Sequence, residues 1–146
     1  MSVAQFLTDQ EQEQIVAAIQ EAENNTSGEI RVHIDDKCKE DVLDRAAYLF
    51  EKLEMHKTDL RNGVLFYLAH EDRKFAILGD AGINRKVQPG FWDEIKEMMA
   101  THFKNSEFVE GLSKGVLMAG EQLKKYFPCQ SDDVNELSDE ITFGKQ

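Results

Sequence analysis

The residues of this chain best suited to chemistry are oxygen donors set beside turns: Glu29, Asp59, Asn62, Asp80, Asn84 and Asp93. Carboxylates, amide oxygens and loop carbonyls are what Ca²⁺ or Mg²⁺ requires. Patterns for other chemistry fail. There is no GxSxG elbow around a nucleophilic serine and no G-x-x-x-x-G-K-[ST] phosphate loop. Gly79-Asp80-Ala81-Gly82 lacks the third glycine of a dinucleotide fingerprint. Arg45 follows Cys38 by seven positions, one too many for the phosphate-cradling loop of a cysteine phosphatase. His33, His56, His70 and His102 show no i,i+4 pairing of the zinc-protease kind. His33, a lone strand histidine, reads as an ordinary surface or core residue.

Spacing alone leaves two readings of the oxygen donors. Asp80 and Asn62 are equally good turn formers that bond their own backbone. A second acidic candidate, Asp35-Asp36, follows an apolar-alternating strand, where α/β sheets usually hold ligands. The simpler reading makes Asp36 the N-cap of the next helix.

The elements that must position these groups can be read from periodicity. Thr8-Asp9-Gln10-Glu11 is a capping box that starts a helix from Asp9 to about Asn24. Glu29 to Asp35 alternates, with Ile30, Val32 and Ile34 on one face of a strand. Val42, Ala46, Leu49, Phe50 and Leu53 predict a second amphipathic helix, roughly Lys39 to Glu54. Gly63 to Ala69 is nearly all apolar, as in a central strand covered on both faces. His70 to Arg73 is a polar tip, and Lys74 to Leu78 returns as a hairpin partner. Gly79 to Asn84 reads as a loop. Helices follow from Phe91 to Phe103 and from Phe108 to Leu123, the latter ended by Phe127-Pro128. Ile141-Thr142-Phe143 is a weak fourth strand. The order α-β-α-β-β-α-α predicts a three-layer αβα sandwich around a small mixed sheet.

That topology brings the oxygen donors together. An antiparallel third strand ends beside the start of the second, and a parallel first strand begins at the same edge. The connections 55–62 and 79–90 must then pass each other there. Asp80, Asn62, Asp59 and Glu29 converge in this scheme, with Asn84 and Asp93 further along.

Composition narrows the partners. The chain has 146 residues, 28 acidic against 17 basic, and a formal net charge of −11. Such a charge repels phosphate backbones and anionic membrane surfaces, so nucleic acid and membrane insertion are not expected. The longest apolar run, Val64 to Ala69, is far below the roughly 18 residues that span a bilayer. Cys38 and Cys129 form no CxxC pair and fit a reducing compartment. Met1 to Leu7 carries no basic residue, so it is read as no signal peptide, and a cytoplasmic location is the expectation. The division expected is a domain over 1–128 and an acidic extension over 129–146.

Thr26-Ser27-Gly28-Glu29-Ile30-Arg31-Val32, Arg61-Asn62-Gly63-Val64-Leu65, Arg73 to Ile83 and Phe108-Val109-Glu110-Gly111-Leu112 together resemble the TPM domain family. The resemblance covers roughly residues 10–128. Family members include thylakoid lumen proteins linked to photosystem II repair and bacterial envelope proteins with a membrane anchor. The resemblance implies an αβα sandwich and a divalent cation, Ca²⁺ among them, held where two loops cross. On this sequence it falls first on Asp80, then on Asn62. The chain departs from the family in showing no signal peptide or anchor, so a stand-alone domain is expected, and the crossing-loop geometry favours a non-enzymatic module whose loops are ordered by Ca²⁺ or Mg²⁺ and offered to a protein partner. The alternative the resemblance carries is a metal-dependent acid phosphatase.

Overall fold

The computed structural model describes residues 6–128 and 141–144. Four strands form one mixed sheet: β1 (Glu29–Asp35), β2 (Gly63–Ala69), β3 (Lys74–Gly79) and β4 (Thr142–Gly144). Their order is β3-β2-β1-β4. β1 and β2 run parallel with Glu29 opposite Gly63, β2 and β3 are antiparallel with Val64 opposite Gly79, and β4 runs parallel to the far end of β1. The helices are α1 (Asp9–Glu23), α2 (Val42–Lys52), the single turn α3 (Ala81–Asn84), α4 (Phe91–Lys104) and α5 (Phe108–Tyr126).

The sheet is buried on both sides, which makes the molecule a three-layer αβα sandwich. Ile30, Val32 and Ile34 of β1 join Val64, Phe66 and Leu68 of β2 in the larger core under α1, α4 and α5. The opposite face of β2, Leu65, Tyr67 and Ala69, packs on Ala46, Leu49 and Phe50 of α2. All seven residues of β2 are buried, as its unbroken apolar sequence requires. The α1 capping box forms as expected, with Thr8 Oγ1 accepting from the Glu11 amide and Glu11 Oε1 from the Thr8 amide.

Three details differ from expectation. The N-cap of α2 is Asp41, whose carboxylate accepts from the Leu43 amide at 2.8 Å. Asp36 instead accepts from the neighbouring Lys37 amide, and the Cys38 amide is taken by Asp72 on the hairpin tip. These bonds hold residues 36–41 in a turn and delay the helix by three residues. The stretch read as a loop after β3 also contains α3, capped by Asp80. Beyond residue 128, the weak strand candidate appears as β4, so the segment read as an acidic extension gives residues 142–144 to the sheet. Cys129 and the rest of that segment lie outside the described residues.

Candidate functional site

The register fixes one edge of the sheet where three turns meet. Glu29 opens β1 opposite Gly63, the Glu29 amide donates to Asn62 O at 3.4 Å, and the Asp80 amide donates to Gly63 O at 2.9 Å. Glu29, Asn62 and Asp80 are all buried there.

The two connections cross in close contact. The Gly82 and Ile83 amides donate to Arg61 O at 2.7 and 3.3 Å. A Cβ on Gly82 would lie 2.0 Å from Leu60 O and 2.6 Å from Arg61 O, so only glycine permits this approach. Arg61 itself has a left-handed φ of 52°, which turns the chain at the crossing.

Asp80 is the centre of the crossing. Its Oδ2 accepts from Arg61 Nε at 2.7 Å and its Oδ1 from Arg61 Nη2 at 2.8 Å. Oδ1 also caps α3 through the Ala81 amide at 2.7 Å. This is the planar, bidentate geometry in which a guanidinium matches a carboxylate best. The hydrogen bonds to Asp80 raise the Arg61 pKa above its ordinary value. Asp80 is buried, whereas the Arg61 side chain is 49% exposed. The acid is fixed and its partner reaches in from solvent.

The other expected donors fall into two groups. Asn62 turns its amide nitrogen toward Ser27 Oγ at 3.3 Å. Asn84 lies beside the crossing, donating to Gly79 O at 2.8 Å and accepting from Trp92 Nε1 at 2.8 Å. Asp59 and Asp93 stand exposed, one on the turn before Asn62 and one in the first turn of α4. The donors gathered at the crossing are thus hard oxygens of the type Ca²⁺ takes. Among the described residues, however, no three His, Cys, Asp or Glu side chains form a ready metal cluster. Both carboxylate oxygens of Asp80 are engaged by the Arg61 guanidinium.

A second polar cluster, at the opposite end of β1, was not anticipated as a unit. Asp35 is fully buried and accepts from Tyr67 Oη at 2.7 Å, His33 Nε2 at 2.9 Å and Arg45 Nε at 2.9 Å. Burial works against its ionisation, but the bonds from His33, Arg45 and Tyr67 outweigh it and hold Asp35 at about 2. Burial and the bond to Asp35 push the Tyr67 phenol up. The sequence did hold a signal. His33 and Asp35 alternate with the core residues of β1 and are themselves buried, against Tyr67, Arg45 and Thr142, so these polar groups had to be satisfied inside.

A small αβα domain with a buried carboxylate clamped where two loops cross defines the class. The TPM domain profile matches residues 1–122, and the chain belongs to the TPM domain family. It is similar in structure to the BA42 protein of the psychrophilic bacterium Bizionia argentinensis, at 47% identity and a TM-score of 0.90, over 98% of this chain and 99% of that one. Two more distant likenesses bear on the fold alone. One is the N-terminal domain of cg2496 from Corynebacterium glutamicum, at 13% identity and TM-score 0.67, over 90% of this chain and 82% of that one. The other is the N-terminal domain of a P. gingivalis protein, at 20% identity and TM-score 0.69, over 85% and 80%. No curated protein matches the chain. Among the described residues, no helix is long and apolar enough to cross a membrane.

Proposed function

We propose that this TPM domain is a non-enzymatic, cation-responsive interaction module whose working part is the loop crossing at Asp80. The observation that carries the reading is the Asp80–Arg61 pair: a fixed buried acid held by a cation that is half in solvent. Such an acid has to be neutralised, and Arg61 or a divalent ion can each do so. Asp80 and the amide oxygen of Asn62 would hold Ca²⁺, with Glu29 and Asn84 beside them, and the ion would supply the counter-charge that Arg61 now gives. The ion neutralises the carboxylate and links the two loops. Arg61 is then released to solvent, which changes the surface offered to a protein partner.

A site with so little carboxylate charge binds weakly, with a Kd on the order of 10⁻⁴–10⁻³ M. Ca²⁺ is favoured over Mg²⁺, because irregular loop donors suit a flexible coordination shell better than a strict octahedron. The reading is tested by adding p-nitrophenyl phosphate and Ca²⁺ or Mg²⁺ to wild type and Asp80→Ala. Equal, background hydrolysis with a Ca²⁺-dependent thermal shift in wild type alone supports it. Turnover lost in Asp80→Ala would favour a metal-dependent phosphatase instead.

A further inference from the structure

We propose that the groove between the turn before β2 and the end of α3 docks a short acidic segment of a protein partner, in which carboxylates flank one large apolar residue. The groove has a volume of about 400 Å³ and is lined by Leu60, Gly82, Arg85, Lys86 and Phe127. That is at the small end of the roughly 300–1,000 Å³ of ligand clefts, room for one large side chain and its neighbours. Its apolar walls are Leu60, which is 54% exposed, and Phe127 just past α5. Gly82 contributes backbone alone. Its charged residues are Arg85 and Lys86, both exposed. Among the described residues neither has a carboxylate partner, whereas Lys57, Arg61 and Lys124 each have one.

The charge of this groove runs against that of the chain, which is −11 overall. The groove along α1 holds Asp9 and Glu13, and the one beside Phe108 holds Glu11, Glu107 and Glu110. The groove at Leu60 holds two cations and no acid, since Asp59, next in sequence, is not among its walls. Two uncompensated cations beside an exposed apolar surface are complementary to carboxylates beside an apolar side chain. A nucleic acid or an anionic lipid surface would meet the negative charge of the whole molecule, whereas a short peptide meets the groove alone. The walls are also preformed. The Gly82 amide ties to Arg61 O at 2.7 Å, the Arg85 amide to Ala81 O at 3.2 Å, the Lys86 amide to Ile83 O at 3.0 Å and the Phe127 amide to Leu123 O at 2.7 Å. A cleft already held in shape loses little to ordering when it binds. The inference rests on the interaction half of the reading above, whose partner it names by chemistry, and not on the cation half, because none of the expected metal donors lines the groove.

The test uses the full chain in chelator, so that no Ca²⁺ response takes part, and the synthetic peptide acetyl-Glu-Asp-Phe-Asp-Glu-amide. Amide NMR spectra should show saturable shifts centred on residues 60, 82–86 and 127. Arg85→Glu together with Lys86→Glu should weaken peptide binding at least about tenfold. Leu60→Ser, at a side chain already more than half exposed, should weaken it while leaving thermal stability unchanged. Serine in place of the peptide's phenylalanine should abolish saturation, and lysines in place of its acids should abolish binding. Absence of saturable shifts, equal binding of the acidic and basic peptides, or an affinity unchanged by the charge reversal would overturn the proposal. So would saturable binding of phosphatidylglycerol vesicles through Arg85 and Lys86 without peptide binding, since the groove would then read a lipid surface. A separate Ca²⁺ titration without peptide distinguishes failure of the cation reading from failure of this one.

Discussion

Arg61 decides what Asp80 can do. A buried carboxylate without a counter-charge is costly, so removing the guanidinium leaves the acid short of a partner. Arg61→Gln should therefore lower thermal stability in chelator and restore it as Ca²⁺ is added, with Ca²⁺ affinity at least about tenfold above wild type, since that factor is only about 1.4 kcal/mol of relieved competition. Calorimetric titration checks it, and an unchanged Kd would show that Arg61 does not compete with the ion. Asp35 makes a separate prediction at low pH. Its native pKa of about 2 is below the 3.8 usual for an aspartate. A depressed carboxylate stabilises the fold above its unfolded pKa, and that contribution is lost as pH falls toward the native value. Asp35→Asn should be less stable than wild type by roughly 1–3 kcal/mol at pH 7, because it removes the charge that the bonds from His33, Arg45 and Tyr67 hold and leaves the half-buried Arg45 without its charge partner. The gap should narrow between pH 5 and about 2, where native Asp35 takes up its proton. Urea midpoints measured across that range test it.

At the scale of elements, the account turns on how closely the connections 55–62 and 79–90 pass. Gly82→Ala forces a methyl against two backbone carbonyls that cannot rotate away. It should cost at least about 2 kcal/mol and lower any Ca²⁺ response, read by thermal unfolding with and without the ion. The crossing was legible in the sequence because strand directions alone require it: an antiparallel β3 must end where β2 begins. The alternation of Ile30, Val32 and Ile34 likewise identified the core face of β1, and the apolar run of β2 identified a strand covered on both sides. The start of α2 was not legible. Asp36 and Asp41 are equally good caps by type, and the choice between them depends on Asp72, 34 residues from Cys38 in sequence. The partner of Asp80 was missed for a similar reason. Arg61 is 19 residues away, and residue spacing carries no information on where a long exposed side chain bends.

For the whole molecule, the net charge of −11 means that any salt screens self-repulsion and raises stability somewhat. A cation effect at the crossing must therefore exceed that of NaCl at matched ionic strength. Most of the acidic residues lie on the surface, and the proposed cation response concerns one buried acid at the crossing, Asp80. The most direct measurement is amide NMR of the wild-type chain during a Ca²⁺ titration from chelated protein, against a NaCl control. Saturable shifts confined to residues 58–63 and 79–85, with the Arg61 side-chain signals released from Asp80, are what the account predicts. Shifts spread evenly over acidic surface residues, or matched by NaCl, would contradict it.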